Sequence, residues 1–442
     1  MKKYDLVVIG SGSGLNIISH FLDKNKKIAL IENDKMGGTC LNRGCIPSKI
    51  LLSHAEIINQ IKSSDKFFIK SKITKINFKK IVKTTNREIN KYSNEILEFY
   101  KHTNKVDFYK EKAAFLDNNT ITVGDKTIYG KNIVINIGAR AFIPNIDGLN
   151  KIDFLSYKEA MKIEKLPKDL IIIGGGYIGV ELAEFFASMG TKVTILEAKR
   201  LLSNVDIKLT NELKKEFSKK VKVFEKAKVK KVRKEKNKIA VYFNDKKVVA
   251  QKLLIATGIK ANTDSIDIEN TDIQLDSEGF IKVDKYMKST VKHIYALGDC
   301  INSYFFKHSA NFEANFILKN LFKKKQNKIN YPPIGYAVFS SPEISGVGIS
   351  LSESKNSNYY VKESFFKDTA RSMALKNSVG RLFLIFEKKS KILKGAHFVG
   401  PNASILIHVL IGLITTRATE DDLKKMIYIH PTLPEVIKIA LI

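Results

Sequence analysis

Two of the chain's three cysteines, Cys40 and Cys45, stand five positions apart in Gly37-Gly-Thr-Cys-Leu-Asn-Arg-Gly-Cys-Ile-Pro-Ser-Lys49. A pair at this spacing suits thiol–disulfide exchange, in which one exposed thiolate attacks and the second resolves the mixed disulfide. Far along the chain, Tyr428-Ile-His430-Pro-Thr-Leu-Pro-Glu435 places a carboxylate five positions after an imidazole, with two prolines between them. Such a rigid unit suits acid/base work, because the carboxylate can set the imidazole tautomer and raise its basicity. A late histidine standing alone would read as a surface or core residue. With a cysteine pair in the same chain, catalysis is the better reading. Cys300, beside Asp299, has no companion and is assigned no role, since lone cysteines are usually buried and inert. C-x-x-C and H-E-x-x-H spacings are absent from the sequence, so no metal site is expected.

The elements that must position these groups are readable around two glycine-rich turns. Asp5-Leu-Val-Val-Ile-Gly10 reads as a strand, Gly10-Ser-Gly12-Ser-Gly14 as a phosphate turn, Leu15 to Leu22 as a helix, and Lys27 to Glu32 as a second strand ending in an acid. Leu170 to Gly179 repeats the unit as Gly174-Gly-Gly176-Tyr-Ile-Gly179, with a helix to about Met189 and a strand from Lys192 to Glu197. Turn and acid are 22 positions apart in the first copy and 23 in the second, so the acid has the placement needed to reach a ribose. One such motif is weak evidence; two with matched acids indicate two dinucleotide domains. The first copy has Leu15 where the usual third glycine falls, so close helix–strand packing must be met otherwise, with Gly14 the nearest candidate. Glu197 favours the 2′-hydroxyl of NAD over a 2′-phosphate, and Lys199 and Arg200 soften that preference, leaving NADP as the alternative.

Ala55 to Tyr109 reads as long amphipathic helices packing on the first domain, and Ala113 to Ile128 as short strands. Ile133 to Gly138 and Leu253 to Gly258 each read as a buried strand ending in glycine, and Ser289 to Asp299 as a late strand whose terminal Gly-Asp could hold flavin ribityl hydroxyls. The charge-dense stretch from Lys219 to Lys247 reads as a solvated β meander. The part beyond Tyr331 reads as a separate α+β domain. The apolar run from Ile405 to Leu413 is too short for a membrane span and reads as a packed or interface helix.

Three cysteines in 442 residues exclude a disulfide-stapled secreted scaffold and suit a reducing cytoplasm. The chain enters a strand almost at once, so no signal peptide is expected. The formal charge of +30 comes mostly from scattered lysine, with little arginine and no aromatic-interleaved basic motif. Specific nucleic-acid binding is therefore not expected, although attraction to anionic partners is.

Taken in order, these motifs resemble the class I flavoprotein disulfide reductases, over essentially the whole chain. Phe339-Ser-Ser-Pro-Glu343 matches the opening of the family's interface domain. The resemblance implies an α/β fold with two Rossmann-like domains, for FAD and NAD, and a C-terminal α+β dimerisation domain. The expected boundaries are 1–145 and 263–328 for the FAD-binding parts, 146–262 for NAD(P), and 329–442 for dimerisation. It implies that Cys40 is the interchange thiol and Cys45 the one facing the flavin. Lys49 and Glu181 would form the ion pair near the flavin, and Tyr177 would cover the nicotinamide pocket. His430 and Glu435 would reach the other subunit's active site in a homodimer. For FAD it implies Gly10, Gly12, Gly14, Glu32, Gly38, Thr39, Lys49, Gly138, Asp299 and Ala310; for NAD, Gly174, Gly176, Tyr177, Gly179, Glu197 and Gly258. The substrate would be a small dithiol or disulfide, or a lipoyl-bearing protein.

Within the family, Ile46-Pro-Ser-Lys49 is closest to dihydrolipoamide dehydrogenase. Gly-Ser-Gly-Ser-Gly-Leu-Asn16, Lys307-His-Ser-Ala-Asn-Phe-Glu313 and Ile-His-Pro-Thr-Leu-Pro-Glu435 are similar to mycothione reductase. Gly258-Ile-Lys-Ala-Asn262 departs from the family's usual Gly-Arg-x-Pro-Asn. Dihydrolipoamide dehydrogenase is the leading expectation, and an NAD(P)H-dependent reductase of a low-molecular-weight thiol disulfide, of the mycothione or glutathione reductase kind, is the alternative. A basic binding protein on an inactive flavoprotein scaffold is a third reading, disfavoured by both cysteines, the histidine and the glutamate.

Overall fold

The computed structural model describes residues 1–22, 25–323 and 325–442. Its backbone divides into two compact units: 1–48 with 82–142 and 258–330, and 49–81 with 143–257 and 331–442.

The first unit is built on a five-stranded parallel sheet in the order Ile294–Ala296, Ile133–Ile135, Leu6–Ile9, Ile28–Ile31, Asp107–Tyr109. Its central strands are continuous apolar runs because both faces are covered; Leu6, Val7, Val8 and Ile9 are all buried. A second sheet in this unit joins Lys2–Tyr4, Lys126–Gly130, Thr120–Val123 and Ala113–Phe115. The helix from Leu15 ends at Phe21 and buries Ile17, Ile18 and Phe21.

The second unit holds a four-stranded parallel sheet, ordered Val221–Phe224, Lys192–Leu196, Asp169–Ile173, Lys252–Ile255. Most of the charge-dense stretch is a three-stranded antiparallel meander, Val229–Glu235, Lys238–Phe243 and Lys246–Ala250; the stretch's first strand, Val221–Phe224, belongs to the parallel sheet instead. Val232, Val241, Phe243 and Ala250 turn inward while the lysines face out, the alternation of a half-solvated sheet. The C-terminal part forms a five-stranded antiparallel sheet with Ala403–Thr415 and Glu435–Leu441 packed on it.

The segment expected to be helical up to Tyr109 is shorter in helix than expected. Helices span Cys45–Lys62 and Phe78–His102, while Asp107–Tyr109 is the edge strand of the first parallel sheet. The helix Cys45–Lys62 also packs differently from expectation. Asn59 Nδ2 donates to Glu184 Oε1 at 3.0 Å and Lys62 Nζ to the Ser188 carbonyl at 2.9 Å, on the helix Tyr177–Ser188 of the second unit. Phe78 adds ring contacts to Phe185 and Phe186 there. The late strand is likewise shorter: Ile294–Ala296 is strand, and Gly298–Cys300 is a 3-10 turn.

Candidate active site

The cysteine segment is fixed by two glycines. Gly37 and Gly38 have φ of 94° and 66°, a region side chains avoid. A Cβ on Gly38 would also stand 2.8 Å from the Gly12 Cα, so the short helix Gly38–Arg43 starts pressed against the first phosphate turn. Asn42 closes the loop by donating to the carbonyls of Met36 and Gly38 at 2.8 and 2.9 Å. Arg43 pairs with Asp34. Cys45 then opens the helix Cys45–Lys62, which sets Cys45 and Lys49 four positions apart, on one face. Cys40 is half-buried and Cys45 exposed. A hydrogen bond with Cys45, then burial, push the Cys40 thiol well above the ordinary range, and the charge of Lys307 acts in the opposite direction. Cys300 is fully buried against the carbonyls of Leu297 and Ile135, and burial raises its thiol to about 12.

In the first turn Gly10 has φ of 99°, and a Cβ there would lie 2.4 Å from the Asn136 carbonyl oxygen. Gly14 supplies the close packing that Leu15 cannot: its Cβ would meet Val8 Cγ1 at 2.9 Å. Glu32 ties the strand end to the turn, accepting from the Ser11 amide and hydroxyl at 2.9 and 2.7 Å and from the Asp34 amide at 2.7 Å. Asp299 sits beside Glu313, whose carboxylate accepts from the Gly298 amide at 2.8 Å. Burial and the Glu313 charge raise the Asp299 pKa, Lys307 opposes them, and no hydrogen-bond donor reaches the Asp299 carboxylate among the described residues. Ala310 faces this loop, 3.5 Å from where a Gly298 Cβ would be. Gly138 and Gly258 have φ of 65° and 124° and nothing within 4 Å of a would-be Cβ.

The second turn repeats the device. Glu197 accepts from the Gly175 and Lys199 amides at 2.6 and 2.7 Å. A Cβ on Gly179 would lie 2.2 Å from the Gly174 carbonyl oxygen, whereas one on Gly176 would enter open space. Arg200 is committed elsewhere, donating to the carbonyls of Leu202, Ser203 and Val205 and to the Thr210 hydroxyl. Tyr177 opens the helix and lies parallel to Tyr336, with ring centroids 6.2 Å apart; burial raises its hydroxyl to about 12. One turn along, Glu181 Oε2 is 2.7 Å from Lys49 Nζ, its other oxygen accepts from the Phe339 amide at 3.2 Å, and Lys49 lies over the Phe339 ring.

His430 Nδ1 lies 2.9 Å from Glu435 Oε1, and the Thr432 amide donates to Glu435 Oε2 at 2.8 Å. These two hydrogen bonds hold the Glu435 carboxyl below its usual range. The His430 side chain is 71% exposed and Glu435 only 14%, so the imidazole projects from an anchored base. Ile427 and Ile429, three positions and one position before it, are 96% and 75% exposed.

The structure thus gathers Cys40, Cys45, the first turn with Gly38, Thr39, Glu32, Gly138, Asp299 and Ala310 in the first unit, along with Gly258, whose carbonyl accepts from the Phe142 amide at 2.9 Å. Lys49, Glu181, Tyr177, Gly174, Gly176, Gly179, Glu197, His430 and Glu435 lie in the second. Sequence reading passed over Asn136. With its amide oxygen facing the first turn, it accepts from the Gly12, Ser13 and Gly14 amides at 3.0, 3.2 and 2.9 Å. A polar residue at the end of an otherwise apolar strand, two before Gly138, was the available signal.

Residues 4–314 match the model of the pyridine nucleotide-disulphide oxidoreductase family, and residues 334–441 match that family's dimerisation domain. The chain is 32% identical to the dihydrolipoyl dehydrogenase of Geobacillus stearothermophilus, over 98% of this chain and 94% of that protein. It is 30% identical to the mercuric reductase of Bacillus cereus, over 99% of this chain and 71% of that protein. Among solved structures, the copper(II) complex of the HOCl-induced flavoprotein disulfide reductase RclA from Escherichia coli superposes with a TM-score of 0.91 at 25% identity, covering 100% of this chain and 99% of that one. No helix among the described residues is long and apolar enough to cross a membrane. The chain belongs to the class I pyridine nucleotide-disulphide oxidoreductases, FAD- and NAD(P)-dependent homodimeric enzymes that act on sulfur groups.

Proposed function

We propose that this enzyme is a dihydrolipoamide dehydrogenase, oxidising a small dithiol at Cys40–Cys45 and delivering the electrons to NAD. The observation that carries the reading is the cysteine pair on a segment pressed against the first dinucleotide turn. The residues present fit both cofactors. Among the described residues the Asp299 carboxylate has no protein donor, and it suits a hydroxyl-rich ligand such as the ribityl chain of FAD. Gly176 leaves the open space that a dinucleotide backbone needs. Gly10, Gly12, Gly14, Glu32, Gly38, Thr39, Gly138 and Ala310 would hold FAD with Asp299; Gly174, Gly179, Glu197, Tyr177 and Gly258 would hold NAD with Gly176. FAD, when bound, supplies the two-electron link between the cysteines and the nicotinamide.

In the oxidised pair, a substrate thiolate attacks the Cys40 sulfur, and Cys45 leaves as a thiolate. The second substrate thiol then attacks the substrate's own sulfur in the mixed disulfide, and Cys40 leaves. Substrate ends as a disulfide and the enzyme as a dithiol, two electrons richer. His430, contributed by the partner chain, takes the proton of the first substrate thiol and releases it to solvent, from which the Cys45 thiolate is protonated. It then takes the proton of the second thiol and passes it to Cys40 as that sulfur leaves, with Glu435 steadying the imidazolium each time. Lys49 and Glu181 form a braced pair four residues beyond Cys45.

The NAD preference is supported by Glu197 at the strand end and by Arg200, whose guanidinium is committed to main-chain carbonyls. The domain assignment extends this reading: 1–145 and 263–328 for FAD, 146–262 for NAD and 329–442 for dimerisation. A cytoplasmic site suits a redox pair in a cysteine-poor chain. The alternative, reduction of a small thiol's disulfide by NAD(P)H, runs the same steps backwards and is supported by the segment Lys307–Glu313. The test measures NADH formation from dihydrolipoamide and NAD beside NADH consumption by a panel of low-molecular-weight disulfides. Turnover at least tenfold faster with dihydrolipoamide is expected; a faster rate with any panel disulfide assigns the alternative.

A further inference from the structure

Three segments meet beside the cysteine pair. Gly38 rests on Gly12, the Gly37 amide donates to Ser11 Oγ at 3.1 Å, and the helix Lys307–Asn320 brings its first residue to the same turn. There Lys307 Nζ donates to Ser13 Oγ at 2.9 Å. Ser13 donates onward to Asn311 Oδ1 at 2.9 Å, which also accepts from Asn16 Nδ2 at 3.3 Å. The ammonium is thus held in place by a chain of side chains drawn from two segments.

Its location is unfavourable on local grounds. A cation at a helix N-terminus opposes the helix dipole. Burial also lowers its pKa, while Cys40, Cys45 and Asp299 act to raise it. Among the described residues no carboxylate pairs with it directly. Arg43, three positions after Cys40, is paired with Asp34. The charge of Lys307 favours the ionised form of Cys40, and the Cys45 side chain opposes it. Asp299, with Glu313 behind it, acts on Lys307 with opposite sign.

We propose that Lys307 is a positioning residue of the redox centre: anchored on Ser13, its ammonium stabilises the Cys40 thiolate and so sets the nucleophilicity of the interchange sulfur. This rests on the reading of Cys40 and Cys45 as the exchanging pair, which is tested separately by the activity of Cys40→Ser with dithiols. Lys307→Gln removes the charge while keeping a donor for Ser13, and Lys307→Arg restores the charge.

The experiment follows iodoacetamide alkylation of Cys40 in the reduced holoenzyme from pH 5 to pH 10, with each cysteine's adduct quantified by mass spectrometry. Only the thiolate reacts. Lys307→Gln should slow Cys40 alkylation at pH 7 about tenfold and move its midpoint up by about one pH unit, and Lys307→Arg should return it to within about threefold of the parent. Ser13→Ala frees the ammonium from its anchor without changing any charge, and a smaller shift in the same direction is expected. The proposal is overturned if the Gln profile superimposes on the parent's, or if the Gln chain loses its yellow flavin absorbance while the Cys40 midpoint stays put. The second result would make Lys307 a cofactor ligand. An unmoved midpoint in Ser13→Ala likewise counts against it, and this arm remains available if the Gln chain does not fold.

Discussion

Gly176 and Gly179 sit three positions apart in one turn, and alanine at each should fail in a different way. At Gly179 the added methyl would lie 2.2 Å from the Gly174 carbonyl oxygen, where real Cβ contacts stay beyond 3.0 Å. Gly174 cannot yield, because its own φ of 108° packs it against the Ala256 carbonyl, 2.2 Å from a would-be Cβ. The helix Tyr177–Ser188 must therefore move by about 0.8 Å or more from the strand Asp169–Ile173, an overpacking penalty of about 1–3 kcal/mol. Gly176 has φ of −76°, which alanine adopts freely, and open space around its Cβ. There the substitution should leave the fold intact or stabilise it by about 0.4–1 kcal/mol through the unfolded chain. Its methyl would instead fill the dinucleotide's place. The assay pairs thermal unfolding with the rate at which NADH bleaches the flavin, a readout independent of the sulfur substrate. Gly179→Ala should lower the melting temperature by several degrees and slow bleaching. Gly176→Ala should keep the melting temperature and weaken NADH binding at least about tenfold, or about 1.4 kcal/mol. Parental NADH binding in Gly176→Ala would refute the cradle, and a parental melting temperature in Gly179→Ala would refute the packing argument.

Three further outcomes are expected. His430→Gln should cost about 10²–10⁴-fold in turnover while retaining FAD, and Glu435→Gln less; activity should reappear when His430→Gln subunits are mixed with Cys40→Ser subunits, and its failure to do so in proven mixed dimers would mean that each chain completes its own site. Flavin bleaching should be faster with NADH than with NADPH, and the gap should narrow in Glu197→Gln; a parental preference for NADPH would overturn the assignment of that acid. Burial works against ionisation of Glu420, but Lys424, the Tyr360 hydroxyl and Lys362 outweigh it and hold its carboxyl at about 2. Because the folded value lies below the unfolded one, the stabilisation is complete above about pH 4.5 and fades as pH falls towards 2. Glu420→Gln should therefore cost about 2 kcal/mol in urea unfolding at neutral pH, less than the full shift implies because Lys424 is solvent-exposed. An equal loss at pH 3 would show that the effect is packing and not charge.

The βαβ units, the cysteine pair and the histidine–glutamate dyad were legible in the sequence because each is a short-range pattern. Turn and acid lie within 23 positions, and Cys40–Cys45 and His430–Glu435 each within five. At those spacings backbone geometry alone decides what can meet. Helix extent between 55 and 109 was overestimated because an amphipathic pattern does not say where the chain must leave a helix to supply an edge strand at Asp107–Tyr109. The remaining features depended on tertiary structure. Lys307 and Ser13 are 294 positions apart, and Asn136 braces a turn more than 120 positions before it. Whether Asp299 keeps a donor, or a thiol meets an ammonium, is set by the order of parallel strands, which brings distant segments to one edge. Sheet order depends on burial across the whole domain, and local spacing carries no record of it.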